Sequence, residues 1–303
     1  MGSFVTHTAH SLLGVSLGAL AIAIALHYVK VAAEARAWHA IVAHTYRDVR
    51  FRTTFGAFAG AIGANTFLPG KIGEGLRLAI VRRRTRNSCS STIAATMVLE
   101  TAIETAFSIL IVGVVLLAGT SVGSLGTPVD ELRATAANGP LLAGTGAVLL
   151  VVVAAAVRVR PQLRRIAADM GKGFAIVRTP RSLVHPVLTW KLVAWSLRLA
   201  TVYWFLVAFH IGATPWTVLI VVAAQMTAAL VPVLPGNAGA QQAALVVGLS
   251  GSASAATVLG FGVGMQAATG IADLLLGTLA VALVASRAEI RAAFGRRPRL
   301  ARA

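Results

Sequence analysis

Leu-Pro-Gly-Lys-Ile-Gly at residues 68–73 and Leu-Pro-Gly-Asn-Ala-Gly at residues 234–239 are two copies of one motif, each inside an apolar stretch. Proline removes a backbone N–H group and glycine relaxes the backbone, so each copy predicts a break in a helix. A break at membrane depth persists only where protein covers the freed backbone groups or where they line a wet cavity. Two such breaks, one in each half of a chain, are typical of transporters built from repeats. The break residues are Pro69, Gly70 and Gly73 in the first copy and Pro235, Gly236 and Gly239 in the second.

The composition around these motifs indicates an integral membrane protein. Hydrophobic residues make up 57% of the chain and charged residues only 12%, and the mean hydropathy is +0.79. Most of the apolar stretches approach the roughly 20 residues with which a helix crosses a bilayer. The sequence therefore predicts an all-α, polytopic helical bundle that forms a single transmembrane domain over residues 1–303. The stretches are 9–29, 53–68, 90–119, 140–157, 187–210, 213–233 and 253–285.

The net charge of +17 comes from basic residues that lie between the apolar stretches. The positive-inside rule places such connections in the cytoplasm, where they also face anionic lipid. This distribution favours membrane lipid over nucleic acid as the partner of the basic residues. We expect a multi-pass protein of the plasma membrane, with its N-terminus outside and its C-terminus in the cytoplasm. The basic connections are residues 30–52, 82–86 and 158–191 and the tail at 286–303.

The basic connections also constrain the topology. Residues 53–81 have one on each side, so this segment must enter and leave from the cytoplasm, as a re-entrant hairpin of two short helices at 53–68 and 72–81. By the same reasoning, residues 213–250 form a hairpin that enters from outside. Two hairpins of opposite sense predict an inverted-topology repeat; the alternative is that each hairpin makes two full crossings. Repeat one covers about 9–119, repeat two about 187–285, and a helix at 140–157 links them.

Four of the ten acidic residues lie within apolar segments, where an ionisable side chain is expensive and usually marks a pathway. Glu100 and Glu104 are four positions apart and share one helix face. We expect a buried polar cluster near the hairpin tips that binds a lipid headgroup. Arginine suits phosphate because its planar fork makes two parallel hydrogen bonds. The cationic members are Lys71, Arg77 and Arg198, and the anionic members are Glu74, Glu100, Glu104 and Asp273.

Ion pairs that only lock helices together are the alternative interpretation of these charges. Lys191 lies seven positions before Arg198 and is expected to extend to the membrane interface instead. The sole cysteine, Cys89, excludes an intrachain disulfide and a cysteine-based metal site. The sequence shows no nucleotide-binding loop and no Ser/His/Asp or Cys/His arrangement. We therefore expect no catalytic residue, no metal and no cofactor.

The residues around the first motif resemble the signature of a known family. Residues 65–77 read Asn-Thr-Phe-Leu-Pro-Gly-Lys-Ile-Gly-Glu-Gly-Leu-Arg, which is similar to the membrane domain of lysylphosphatidylglycerol synthase/flippase proteins. That signature has Asn (here Asn65), then Pro-Gly-Arg/Lys-x-Gly-Glu, then Arg. Thr101 stands where the family usually has Arg. In the second motif Gln242 replaces the usual Glu.

This resemblance implies a stand-alone flippase-like member without the soluble synthase domain. In the family, the membrane domain moves aminoacylated phospholipid between leaflets. We expect a membrane protein that translocates or binds a phospholipid or glycolipid through a polar intramembrane cavity, an anionic lipid being favoured. The alternatives are a non-catalytic membrane subunit that presents a lipid or polyprenyl-linked substrate to a partner lipid-modifying enzyme, and an ion or small-solute transporter.

Overall fold

A computed structural model describes residues 14–67, 72–85, 88–121, 180–228, 239–249 and 251–284. Within these ranges the chain folds into eight α-helices and contains no strand, which confirms the predicted all-α class. Four of the helices have the length and composition to cross a membrane: α1, α4, α5 and α8. The helices are α1 (Leu17–Thr45), α2 (Phe51–Phe67), α3 (Ile72–Arg84), α4 (Ser90–Ser121), α5 (Pro180–Ala208), α6 (Pro215–Ala228), α7 (Ala240–Gly248) and α8 (Ala255–Val284).

The first helix is longer than the predicted segment 9–29, because it continues without interruption to Thr45. Residues 31–45 were expected to belong to a basic connection. They are rich in alanine, the strongest helix former, and they bury an apolar stripe of Val31, Ala35, Trp38 and Val42. Burial of this stripe against α2 and α3 outweighs the few charges of the segment. The predicted linker helix at 140–157 and the tail at 286–303 lie outside the described residues.

Both predicted hairpins consist of two short helices. α2 and α3 have 17 and 13 residues, and α6 and α7 have 14 and 9. The residues at the breaks themselves, Pro69, Gly70, Lys71, Pro235 and Gly236, lie outside the described ranges. At the first motif α2 ends at Phe67 and α3 begins at Ile72, as predicted, and α7 begins at Ala240 directly after the second motif.

The outer ends of α2 and α3 lie at an end of the bundle that we call the basic end, which includes residues 46–50, Thr85, Ser88 and Cys89. The Cys89 amide donates a hydrogen bond to Tyr46 Oη at 3.1 Å, so the loops before α2 and after α3 lie side by side. α8 also finishes here, because Gly56 of α2 packs against Val284. Among the described residues, six exposed arginines lie at this end: Arg47, Arg50, Arg52, Arg82, Arg83 and Arg84.

The second hairpin opens at the opposite end. The Ser16 amide at the start of α1 donates to Ala208 O at the end of α5 at 2.9 Å, so these two helices run antiparallel. Phe209 contacts Phe261 in the first turns of α8, and Gly248 of α7 packs against Ile220 of α6. The described loop residues at this end, 14–16, 209–214 and 251–254, include no Asp, Glu, Lys or Arg. This asymmetry of charge is the one that the positive-inside rule predicts for a cytoplasmic basic end.

One order of helices therefore occurs twice: a long helix, two short helices and a second long helix. The packing follows the same order, because α2 packs on α8 as α6 packs on α4, and α3 packs on α4 as α7 packs on α8. The two hairpins open at opposite ends. An inverted-topology repeat with re-entrant hairpins stays our prediction, since it also requires the tips to stop within the bilayer.

The residues that flank the two breaks reach the middle of α8. A Cβ atom on Gly270 would lie 3.2 Å from Thr66 Cγ2, close to the first break. The Gln242 amide, close to the second break, donates to Gln266 Oε1 at 2.7 Å. Gly270 and Gln266 are one helical turn apart at the midpoint of the 30-residue helix. Thr66 and Gln242, which flank the two breaks, thus contact α8 at nearly the same level.

Substitution of Gly63 will test the close contact between α2 and α8. A Cβ atom there would lie 2.8 Å from the carbonyl oxygen of Asp273. Gly63→Ala should therefore lower the free energy of unfolding by about 1–3 kcal/mol through overpacking, measured by thermal loss of helical circular dichroism in detergent. Gly113→Ala is the matched control, because a Cβ atom there meets nothing within 4 Å. Equal effects of the two substitutions would contradict the close contact.

Cys89 offers a direct test of orientation, since it is exposed at the basic end and is the sole cysteine. A membrane-impermeant maleimide should label it from the cytoplasmic face only. In a Cys89→Ser background, Ser252→Cys at the opposite end should be labelled from outside only. The reverse pattern would show that the basic end faces outward.

Candidate functional site

The centre of the candidate site is Lys191 of α5, which is 1% exposed and lies between two carboxylates of α4. Its Nζ donates to Glu100 Oε1 at 3.1 Å and to Glu104 Oε2 at 3.0 Å. The two glutamates reach one ammonium group because they are one helical turn apart on the same face. Lys191 does not extend to the membrane interface as expected, because two carboxylates compensate its buried charge in place.

Arginines extend this arrangement on both sides. Arg77 of α3 donates to Glu100 Oε2 at 2.8 Å, and Arg198 of α5 donates to Glu104 Oε1 at 2.9 Å. Arg77 also approaches Glu74 Oε2, at 3.6 Å. The charges alternate in sign along this line and comprise three cations and three carboxylates, so the set is neutral. We call it the charge chain: Glu74, Arg77, Glu100, Lys191, Glu104 and Arg198.

Aromatic rings cover the two arginines of the charge chain. The Arg77 guanidinium lies 3.7 Å from the ring centroid of Trp38 and 4.6 Å from that of Phe58. Arg198 lies 4.8 Å from the ring of Trp195. Rings at these distances attract a cation and exclude water. Because Arg77 is 4% exposed, the phosphate contact predicted for it requires its surroundings to open.

Polar side chains accept hydrogen bonds from backbone amides beside both hairpin breaks. Asn65 Oδ1 accepts the Gly73 amide at 2.8 Å, which caps the first turn of α3. A side chain at Gly73 is excluded, since a Cβ atom would fall 2.2 Å from Ala61 O. At the second break, Gln242 Oε1 accepts the Gly239 amide at 2.7 Å, and Gly239 has a φ of 90° that suits glycine.

Glu74 connects the first break to a groove of about 670 Å³. The Asn65 amide lies 3.5 Å from Glu74 Oε1, and both side chains line the polar end of the groove. The Glu74 side chain is 40% exposed, whereas that of Glu100 is 9% exposed. Glu74 is therefore the member of the charge chain that a ligand in the groove meets. The remaining lining comes from one face of α4: Met97, Val98, Thr101, Ala102, Thr105, Ala106 and Ile109.

Asp273 lies apart from the charge chain, in contrast to the single cluster expected. Its Oδ1 is 2.7 Å from Nε2 of His27, which joins α8 to α1. The partners are 246 positions apart, so no local spacing marks them. Lys191 was also missed as a site residue, although its position seven residues before Arg198 places both on one helix face. Among the described residues, no group of three His, Cys, Asp or Glu side chains is arranged to hold a metal ion.

Comparison with known proteins gives one match. The model of a family described as the lysylphosphatidylglycerol synthase TM region matches residues 4–277. No curated protein matches the chain significantly. No solved structure does so either.

Removal of a carboxylate will show which part of the charge chain stabilises the fold. Glu100→Gln leaves Lys191 and Arg77 under-compensated, so we expect it to lower the free energy of unfolding by about 3–5 kcal/mol. Glu74→Gln is the same chemical change at an exposed position and should cost less than about 1 kcal/mol. Thermal unfolding of both variants in detergent measures the difference. Similar losses of unfolding free energy in the two variants would mean that the buried part of the charge chain stabilises the fold no more than its exposed end.

Proposed function

The chain belongs to the family of the lysylphosphatidylglycerol synthase transmembrane region, and from this membership and the site we propose that it translocates a phospholipid or glycolipid between leaflets. It is a membrane protein of the lysylphosphatidylglycerol synthase/flippase type with membrane-spanning helices. In the proposed role it is a non-catalytic translocator of the cell membrane, with its basic end in the cytoplasm and the lipid headgroup passing along the groove.

The groove is the observation that carries this proposal, because its lining matches an amphipathic ligand. One end holds the Glu74 carboxylate and the Asn65 amide, and the α4 wall is mostly apolar. Thr101 and Thr105 place hydroxyl groups on this wall. Each donates its proton to a carbonyl four residues earlier, so its oxygen still accepts hydrogen bonds. A headgroup thus finds polar contacts in a path that is otherwise suited to acyl chains.

The weakest contact of the charge chain indicates where the headgroup engages. Arg77 Nη1 and Glu74 Oε2 are 3.6 Å apart. The other ion pairs of the charge chain have N–O distances of 2.8–3.1 Å. A headgroup that separates Glu74 from Arg77 would bring its phosphate to the guanidinium and a hydroxyl or amine to the carboxylate. The exchange replaces one ion pair by others and so limits the cost of charge within the bilayer.

The proposal is tested by lipid flipping in liposomes that contain the purified protein, with a panel of fluorescent phospholipids and glycolipids. Glu74→Gln removes the negative charge from this position, and a hydrogen bond to a charged group is worth about 1.5–3 kcal/mol. We expect flipping of the preferred lipid to slow by about 10- to 100-fold, with the thermal unfolding of the variant unchanged.

A matched pair of tryptophan substitutions separates the groove from the rest of α4. Ala102→Trp fills the groove and should abolish flipping, whereas Leu110→Trp lies on the exposed part of α4 outside the lining and should leave it unchanged. If wild type and all variants flipped lipid equally, the groove would not be the path. If wild type flipped none of the lipids, the result would favour a membrane subunit that requires a partner enzyme.

A further inference from the structure

A second buried ionisable pair lies outside the charge chain and the groove. His27 Nε2 of α1 and Asp273 Oδ1 of α8 are 2.7 Å apart, with side chains 8% and 15% exposed. Asp273 is the only ionisable side chain of α8. Both residues lie in helices that have the length and composition to span the membrane. An ionisable group at this depth is expensive and usually marks an ion or proton pathway.

The pair differs chemically from the charge chain. Arginine and lysine keep their charge throughout the physiological range, whereas histidine gains and loses a proton within it. The pair has net charge −1, 0 or +1 as protons are added. Only the neutral state avoids an uncompensated charge in a dry environment, so each proton gained or lost changes the attraction between α1 and α8.

Among the described residues, charged side chains on the neighbouring helices pair with one another rather than with His27 or Asp273. Lys30 and Glu34, which follow His27 on α1, face each other at 3.8 Å, and the Tyr28 ring lies 6.4 Å from the imidazole. α2 carries one charged residue, Arg52 at the basic end, and α7 carries none. The charged residues of α5 whose side chains are described, Lys191 and Arg198, bond within the charge chain.

The pair also lies next to the first hairpin break. Gly63 of α2 packs against the Asp273 carbonyl, and Thr66 packs against Gly270 one turn away. Between these two contacts α2 carries Asn65, which caps α3 and reaches Glu74. A change in the position of α8 is thus transmitted by direct packing to the polar end of the groove.

We propose that the His27–Asp273 pair binds the proton that drives lipid movement. This inference rests on the proposed function and supplies its energy source. One proton enters from one compartment, is held between the imidazole and the carboxylate, and leaves to the other compartment as the headgroup crosses. Only N–H and O–H bonds form and break, and no oxidant or reductant is needed.

The test uses liposomes of phosphatidylcholine with trace fluorescent phosphatidylglycerol, pyranine inside, and a transmembrane gradient of one pH unit. With one proton per lipid, wild type should shift the steady-state leaflet ratio of the probe about tenfold relative to liposomes without a gradient. Pyranine should report proton flux that depends on the protein. Protein-free liposomes correct for spontaneous movement of the probe.

In two variants one member of the pair is replaced by an amide side chain, which binds no proton but can still form a hydrogen bond with the other member. Asp273→Asn and His27→Gln should each return the leaflet ratio to its value without a gradient, although the probe still exchanges between leaflets. Lys30→Gln is the matched control, one turn along α1 from His27, and should keep the full shift. A purely structural pair would lower thermal stability in the two variants but leave the tenfold shift in place.

The outcomes distinguish this inference from the function it rests on. Flipping by wild type that ignores the gradient would overturn proton coupling and leave the translocator intact. A full shift in either variant that folds would also overturn it. No flipping by wild type under any condition would reject the proposed function and the coupling with it.

Discussion

Compensation of charge within the bilayer is the constraint on which the rest of this structure depends. Lys191 is almost completely buried, and its ammonium group is stabilised there by Glu100 and Glu104, which both reach it. Each glutamate is in turn bonded to an arginine, so the requirement extends across α3, α4 and α5. The α1 side chain Trp38 covers Arg77 and completes the enclosure. One electrostatic requirement thus fixes the relative positions of four helices.

A second requirement concerns the backbone at the broken helices. Each break frees amide groups that need partners, and Asn65 and Gln242 supply them on either side of the middle of α8. The helix that receives both hairpins has glycine or small residues at several of its contacts, which lets α2 approach closely at Gly63 and Gly277. Close packing and polar capping together satisfy backbone groups beside the two interruptions, as a helix break at membrane depth would require.

Much of this architecture follows from local sequence. Apolar stretches of membrane length predicted α4 and α8 to within two residues at each end, whereas α5 begins at Pro180, before the predicted 187. The Pro-Gly motifs predicted the division of each hairpin into two short helices. The spacing of Glu100 and Glu104 indicated a shared face. The contacts that complete the site could not be read in this way. Lys191 and Glu104 are 87 positions apart, and His27 and Asp273 are 246 apart, so only the folded chain reveals which opposite charge each one meets. The continuation of α1 to Thr45 is not evident from sequence, because charged residues alternate there with the apolar stripe that the fold buries.

The neutrality of the charge chain has an electrical consequence. Moving one elementary charge across a membrane potential involves about 2.3 kcal/mol per 100 mV. A set of three cations and three carboxylates that moves as one unit carries no gating charge, so the voltage of the cell does no net work on it. In the transport cycle that we propose, the voltage would act on the species that enter and leave, namely a charged headgroup and any ion that accompanies it. The charge chain itself would not respond to changes in membrane voltage.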